Sequence, residues 1–190
     1  TLGAMFLSYP AHNLWIAARV SLNAYWTKLP APDEVIDTLM QLLIKSRSQG
    51  ILSLEDTEKK ITIGYLKRTL SLLVDNYKAE EIRDILNTEM YYFKQRRIQQ
   101  ERLVRHAAKL APAFGVAGSV IGLISMLSGI GDPEVIVKAI PVALTSTLYG
   151  IVLANFILIP IAENLHAKTQ GELLLQKLIT DGVIAIFHEQ

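Results

Sequence analysis

Charged residues are absent from two long runs near the end of the chain. Residues 110–131 and 139–162 contain 22 and 24 consecutive positions without Asp, Glu, Lys or Arg. At about 1.5 Å rise per residue, each run forms a helix long enough to cross a hydrocarbon core of roughly 30 Å. The pattern therefore predicts transmembrane helices over 110–131 and 139–162. Buried helices of a soluble core are disfavoured, because the remaining chain is too short to cover both.

The flanking charges predict the orientation of these helices. Residues 27–109 hold 15 of the 19 Lys and Arg residues, whereas residues 132–137 carry only acidic charges. By the positive-inside rule, residues 27–109 form a cytoplasmic domain, 132–138 a short periplasmic turn, and 163–190 a cytoplasmic tail. Residues 1–26, with no charge before Arg19, are interpreted as the end of a further span whose beginning lies outside the sequence.

The domain between the spans has a helical pattern. Ile36, Leu39, Met40 and Leu43 have the i, i+3, i+4, i+7 spacing of an amphipathic helix, and Gly50 is placed to end it. No Gly or Pro interrupts residues 79–111. The predicted fold is all-α: a polytopic membrane protein with transmembrane helices and a helical cytoplasmic domain.

The composition argues against several classes of function. The 190 residues are 51% hydrophobic and 19% charged with a net charge of +1, so nothing points to nucleic acid. There is no cysteine, and the four histidines are widely spaced. We therefore expect neither a metal site nor a cofactor. Since no nucleophile–base pair is evident, we do not expect an enzyme.

Small and hydroxyl-bearing residues mark one face of each span. Gly118 and Gly122 in the first span, and Gly150 in the second, belong to small-residue stripes that allow helices to approach closely. Ser119 and Thr147 lie at mid-span depth, where a hydroxyl bonds its own backbone or faces water and an ion. Neither span contains the ionisable residue that ion transport normally requires. If this protein moves ions, another chain must supply the titrating carboxylate.

Several motifs resemble the MotA family of flagellar stator proteins, within the wider group that includes ExbB and TolQ. They occur in the family's order and cover nearly the whole chain: TLGAMFLSYP (1–10), KSRSQGILSLE (45–55), APAFGVAGSVIGL (111–123), DPE (132–134), ALTSTLYGIVLAN (143–155) and PIAENL (160–165).

The resemblance implies a function and a set of partners. MotA-like subunits form a homo-oligomeric ring, a pentamer, around two MotB-like subunits, each with one span bearing the ion-binding aspartate and a peptidoglycan-binding domain. Proton or sodium flow through this complex in the bacterial inner membrane drives torque on the rotor switch protein. The expected partners are thus the MotB-like subunit, the switch protein, other copies of the chain and membrane lipid.

The resemblance also assigns roles to single residues. Thr147 and Ser119 correspond to the ion pathway, and Ser119 stands where many members have Thr. Pro112 and Pro160 correspond to two prolines that couple ion binding to conformation. Arg47 and Glu55 match the charged pair that engages the rotor.

Other readings of these residues remain open. Arg47 and Glu55 are also typical of solvated helix ends, and the glycines of ordinary helix packing. Pro141 departs from the family pattern. Two other functions compete: an ExbB/TolQ-type energiser of envelope transport and a non-conducting membrane scaffold.

Overall fold

The structure is a computed structural model that describes residues 1–54, 61 and 63–188, except for the side chains of Leu2 and Leu52. Across these residues the chain is almost entirely helical, and no described residue lies in a strand. The prediction of an all-α membrane protein is confirmed. In chain order the helices are α1 (Leu2–Ser8), α2 (Ala11–Trp26), α3 (Pro32–Gln49), a 3₁₀ turn (Ile51–Leu54), α4 (Gly64–Val74), α5 (Ala79–Ser128), α6 (Pro133–Val152), a π-helical segment (Leu153–Leu158) and α7 (Ile159–His188).

The chain divides into two compact units. The first, here called the span unit, comprises Thr1–Thr27 and Arg97–His166; the second, the helical domain, comprises Lys28–Arg96 and Ala167–Gln190. This division follows contacts within the chain, so the membrane boundaries expected near residues 27 and 109 stay predictions. Residues 97–109 belong to the span unit because Leu103 is buried beside Met5 and Ala17 of the first two helices.

The helical domain has a core of large aliphatic side chains. Leu66, Leu70 and Leu73 of α4 are at most 1% exposed. The last four turns of α7 complete this core, so residues 167–188 are part of a folded unit and not a separate tail. The buried side chains are Val35, Leu39, Leu42, Leu54, Leu66, Leu70, Leu73, Ile82, Leu86, Leu175, Ile179, Val183 and Ile186.

Helix α3 of this domain begins and ends at residues suited to those positions. Pro32 occupies the first turn, where its missing N–H costs nothing, and Asp33 and Glu34 follow it near the positive end of the helix dipole. Gly50 ends the helix with φ +81°, a backbone conformation that side chains with a Cβ rarely adopt. The predicted end at Gly50 is confirmed.

The N-terminal segment contains two helices and not one. Tyr9, between α1 and α2, is extended (φ −142°, ψ 146°), and Pro10 follows it. A proline disfavours the helical conformation of the residue before it, which explains the break. That residues 1–26 end a membrane span stays a prediction.

The span unit contains apolar helices that the rest of the protein leaves uncovered. Ala79–Ser128 and Pro133–His188 each contain an 18-residue window apolar enough to cross a membrane, and only 17% of each window is buried. Large side chains such as Leu144, Tyr149 and Phe156 are 69%, 70% and 76% exposed. The core helix of a soluble protein would be mostly buried, so these surfaces are suited to lipid.

The turn between the two apolar helices is shorter than predicted. It covers residues 129–132, and α6 already begins at Pro133, so the prediction of a turn over 132–138 is wrong. Asp132 caps the helix, since its Oδ1 accepts a hydrogen bond of 3.0 Å from the backbone N–H of Glu134. An N-cap aspartate followed by a proline starts a helix at once, which explains the early boundary.

Candidate functional site in the apolar helices

Helices α5 and α6 meet along a seam of small residues. An added Cβ at Gly150 would lie 2.7 Å from the Ala111 carbonyl oxygen, and one at Gly122 would lie 2.9 Å from the Ala143 Cβ. At Gly118 it would lie 3.0 Å from both Cβ and Oγ of Ser146. A Cβ at Gly150 or Gly122 would force its neighbours to shift, so the two helices are in close contact at these glycines. We call these residues the glycine seam: Ala111, Pro112, Gly115, Gly118 and Gly122 of α5, with Ala143, Ser146, Thr147 and Gly150 of α6.

Gly115 is a seam residue that the sequence analysis did not single out. Its added Cβ would lie 2.9 Å from the Ser146 carbonyl oxygen and 3.3 Å from the Cα of Gly150. Its position three residues before Gly118 continues the same helix face, and this spacing could have identified it.

Thr147 joins the two helices by a hydrogen bond. Its hydroxyl donates to the carbonyl oxygen of Gly115 at 3.4 Å, across the seam, and the side chain is half-buried. Ser119, four residues after Gly115, is also half-buried. Of the two hydroxyls assigned to the ion pathway, that of Thr147 therefore lies at the contact between α5 and α6.

Pro112 lies within α5, where the helix continues from Ala79 to Ser128. Since proline has no N–H, the carbonyl of Ala108 loses its partner in the helix ladder. The Cα of Pro112 would be 3.2 Å from a Cβ added at Gly150. The proline thus occupies one end of the seam and presents backbone to the facing helix.

Pro160 follows a distortion of the helix that the sequence analysis did not predict. Residues 153–158 form a π-helical segment, and the N–H of Ile159 donates to the carbonyl of Ala154, five residues earlier. Proline cannot donate to the carbonyl four residues before it and its ring crowds that carbonyl, so a wider turn accommodates it. Pro160 is exposed and is the second residue of α7. The π-helical segment just before α7 separates it from α6.

Pro141, the departure from the family pattern, does not interrupt α6. Its carbonyl oxygen accepts a hydrogen bond of 2.7 Å from the hydroxyl of Thr145, one turn later. We find no further structural consequence of this proline.

An ionic cluster joins α5 to α7 within the span unit. Glu101 accepts hydrogen bonds from Nε of Arg105 at 2.7 Å and pairs with Nδ1 of His166 at 2.9 Å, while Nη1 of Arg105 lies 3.0 Å from Glu163. This cluster is not among the sites predicted from the sequence. The four-residue spacing of Glu101 and Arg105 could have predicted one pair, but the contacts to α7 depend on the fold.

The protonation of Glu101 reflects two opposing effects. Burial raises the pKa of its carboxyl group, but the hydrogen bonds and positive charges of Arg105 and His166 outweigh burial and lower the pKa below its ordinary value. Glu101 lies nine residues before the charge-free run begins. Its carboxylate stays ionised at neutral pH and holds the helices together just outside the apolar segment.

The two residues assigned to rotor contact lie elsewhere. Arg47 is exposed in the last turn of α3, in the helical domain, where its charge also suits the negative end of the helix dipole. Glu55 lies outside the described residues. Among residues 1–54, 61 and 63–188, no group of three or more His, Asp or Glu side chains could hold a metal ion.

Together these features define a class: a polytopic helical membrane protein whose spans pack through a glycine seam and carry no Asp, Glu, Lys, Arg or His in their charge-free runs. Residues 57–177 match the model of the MotA/TolQ/ExbB proton channel family. The chain belongs to this family. The range includes Ser119, Thr147, Pro112 and Pro160, whereas Arg47 and Glu55 precede it.

Individual relatives agree with this assignment. Chemotaxis protein PomA of Vibrio alginolyticus is 34% identical over 170 residues, covering 90% of this chain and 66% of that protein. Protein YtxD of Bacillus subtilis (strain 168) is 32% identical over 183 residues, covering 96% of this chain and 67% of YtxD. The chain thus spans about two thirds of the length of these relatives.

A solved structure is also similar. The chain resembles one in the flagellar MotAB stator complex from Bacillus subtilis with a TM-score of 0.90 and 27% identity, covering 100% of this chain and 74% of that chain. The motility-related names of PomA and this complex match the MotA-like motifs and not the ExbB/TolQ alternative. The protein is a MotA-type stator subunit embedded in a membrane.

Proposed function

We propose that this chain is the channel-forming subunit of a bacterial flagellar stator. Together with a single-span, MotB-like partner, it conducts protons or sodium ions across the inner membrane and converts the ion-motive force into torque on the rotor. The chemistry is ion transfer coupled to motion, with no covalent step and no bound cofactor.

The observation that carries this proposal is the glycine seam in helices without an acidic side chain. The two helices pack by close backbone contact, and neither charge-free run contains an Asp, Glu or His that could carry a proton. A channel of this kind needs an acid from outside the chain. A partner span bearing an aspartate meets that need. The MotAB complex, one chain of which resembles this protein, is named for two kinds of subunit.

Thr147 and Ser119 are the proposed ligands of the moving ion along this wall. Thr147 already donates to the carbonyl of Gly115, which leaves its oxygen lone pairs available to an ion or to water. Ser119 offers the same chemistry from the facing helix. Hydroxyl oxygens suit both hydrated protons and sodium, so we propose no choice between the two ions.

The helical domain is the proposed rotor-facing part. Most of the Lys and Arg residues of the chain lie in it, which supports a cytoplasmic position by the positive-inside rule, and Arg47 is exposed on it. We propose that Arg47 and Glu55 contact charges on the rotor switch protein. Exposed ion pairs are weak and screened by salt, which suits contacts that form and break at each step.

The proposed assembly is a ring of identical subunits, a pentamer, around the MotB-like span. In this assembly Pro112 and Pro160, each beside a freed or displaced backbone carbonyl, transmit protonation of the partner's aspartate to the helical domain. The π-helical segment before Pro160 supports this role, since such defects are frequent at functional sites.

Removing the hydroxyls tests the ion pathway. We expect the double variant Ser119→Ala, Thr147→Val to slow motor rotation, or to change its dependence on sodium and pH, because the path loses two ligands while its shape is kept. The measurement is the rotation speed of tethered cells across sodium concentrations and pH values.

Thr145→Val is the matched control on the same helix. Its hydroxyl donates to the carbonyl of Pro141 and is exposed, so its loss should leave the speed unchanged. If the double variant also rotates at the normal speed under every condition, Ser119 and Thr147 have no part in ion transfer.

A further inference from the structure

The ionic cluster between α5 and α7 has an uneven balance of charge. Its two carboxylates surround one guanidinium, since Nε of Arg105 lies 2.7 Å from Glu101 and Nη1 lies 3.0 Å from Glu163. With a neutral imidazole on His166, the cluster therefore carries one negative charge in excess. A proton on His166, whose Nδ1 lies 2.9 Å from Oε2 of Glu101, makes the charges equal.

The geometry around His166 allows a proton both to reach the ring and to act on its partner. The side chain of His166 is 49% exposed, so its ring exchanges protons with water, whereas that of Glu101 is only 15% exposed. Charges interact more strongly where one of them is withdrawn from water. A neutral ring donates from Nδ1 in only one of its two tautomers, whereas a protonated ring always donates and adds a charge to the hydrogen bond.

Histidine is the residue type in this region that changes charge near neutral pH. The other titratable side chains within six residues of Glu101 or His166 along their helices, with the tyrosine that contacts one of them, are Arg96, Arg97, Arg102, Arg105, His106, Glu163, Lys168, Glu172 and Tyr9. Of these residue types only histidine ordinarily titrates between about pH 6 and about pH 8. The ring of His106 packs edge-on against Tyr9, at 5.6 Å between ring centroids, and so provides an internal comparison for His166.

The cluster lies where both charge-free runs end. Glu163 directly follows the run over 139–162, and Glu101 lies nine residues before the run over 110–131. The contacts therefore join α5 to α7 close to the two prolines that we propose to couple ion binding to conformation.

We propose that His166 and Glu101 form a proton-dependent tie between α5 and α7. Protonation of His166 strengthens the contact and holds the two helices together, and loss of the proton weakens it. The consequence for rotation rests on the proposed function: an acidic cytoplasm restrains the helices beside Pro112 and Pro160 and slows the motor.

Hydrogen exchange measures the tie without reference to motor function. The purified full chain is exchanged at about pH 6 and about pH 8, and the rates of peptides within residues 159–172 are corrected for the intrinsic effect of pH. We expect these peptides to be about twofold to fivefold better protected at the lower pH, the range of a partly exposed ion pair. The extra protection is lost as the pH rises, because the imidazole then loses the charge that faces Glu101.

Two variants remove the tie in different ways, and a third is the matched control. His166→Asn keeps a neutral donor near the position of Nδ1 but cannot take up a proton, so protection should be nearly equal at the two pH values. Glu101→Gln should give the same result, because the anion that faces the ring is gone. His106→Asn removes the histidine that packs on Tyr9 and should keep the pH dependence of the parent. Size-exclusion profiles of all variants check that the fold is kept.

The outcomes separate the tie from its role in rotation. A pH effect of the same size in the parent and in His166→Asn would overturn the proposal, as would equal protection of the parent at both pH values. Rotation speed at lowered cytoplasmic pH is measured separately, and cells with His166→Asn should slow less than the parent. A pH effect on exchange, with the same slowing in both strains, would confirm the tie and overturn its role in rotation.

Discussion

The glycine seam and the core of the helical domain are both closely packed, but with opposite residue types. In the core, Leu66 and Leu70 are fully buried by other large side chains. In the seam, Gly122 and Gly150 bring backbones together, while leucines on the same helices point outward. Burial of large side chains stabilises a fold in water, but between lipid-exposed helices this drive is absent and close contact of small residues replaces it.

The largest effect is expected from filling the seam. Gly150→Leu adds a side chain whose Cβ alone would lie 2.7 Å from the Ala111 carbonyl oxygen and 3.1 Å from the Cα of Gly115. The helices must separate, and we expect no assembled complex with the partner subunit and no motility. Size exclusion of the co-expressed, purified complex measures this.

Gly64→Leu is the control for this substitution. Gly64 begins α4, and nothing lies within 4 Å of its added Cβ. This variant should assemble normally. A normally assembled Gly150→Leu complex would show that α5 and α6 tolerate separation and that the seam is not essential.

A smaller effect is expected from replacing a large core side chain of the helical domain with a small one. Leu70→Ala removes a side chain that is 0% exposed and leaves a cavity, which typically costs about 2–5 kcal/mol. We expect a lower melting temperature of the domain, with the complex still assembled in the cold. Pulse proteolysis of the purified protein measures the change in the free energy of unfolding.

Leu174→Ala provides the comparison for this variant. Leu174 is 64% exposed, so its truncation should change the free energy of unfolding by less than about 0.5 kcal/mol. Equal effects at positions 70 and 174 would contradict the assignment of Leu70 to the core.

The smallest effect is expected at the ionic cluster. Because the folded-state pKa of Glu101 is lowered, the stability that its carboxylate contributes is present above the ordinary glutamate pKa and is lost as the pH falls through the lower, folded-state value. Partly exposed pairs contribute at most about 1 kcal/mol. Melting temperatures between about pH 6 and about pH 3 should therefore fall more for the wild type than for Glu101→Gln.

Glu134→Gln is the matched control, because Glu134 is 82% exposed in its pair with Lys138. Its melting curve should follow the wild type over the same pH range. If Glu101→Gln also follows the wild type, the cluster does not link α5 to α7 energetically.

The sequence predicts the apolar runs and the end of α3 because these depend on local patterns. Charge-free stretches and the conformational freedom of Gly50 act within a few residues. The resemblance to MotA proteins can also be detected from the order of the motifs alone, and the family match confirms it. The placement of Thr147 against Gly115 required the structure, since it depends on how two helices meet.

The failures have a common physical cause. The charges predict a turn over 132–138, but the Asp132 cap and Pro133 begin a helix among charged residues. The tail over 163–190 has no distinctive pattern of its own, and Ile179 and Val183 become core only because α7 reaches the helical domain. Likewise, the pairing of Glu101 with His166 joins residues 65 positions apart, which local sequence patterns cannot predict.

The central claim is that this chain forms the wall of an ion path whose titratable acid belongs to another polypeptide. Ion flux into liposomes tests it most directly, with the purified chain reconstituted alone or with its single-span partner. We predict no proton or sodium flux from the chain alone, flux with the partner, and loss of that flux when the partner's membrane aspartate is replaced by asparagine. Flux through the chain by itself would contradict the account.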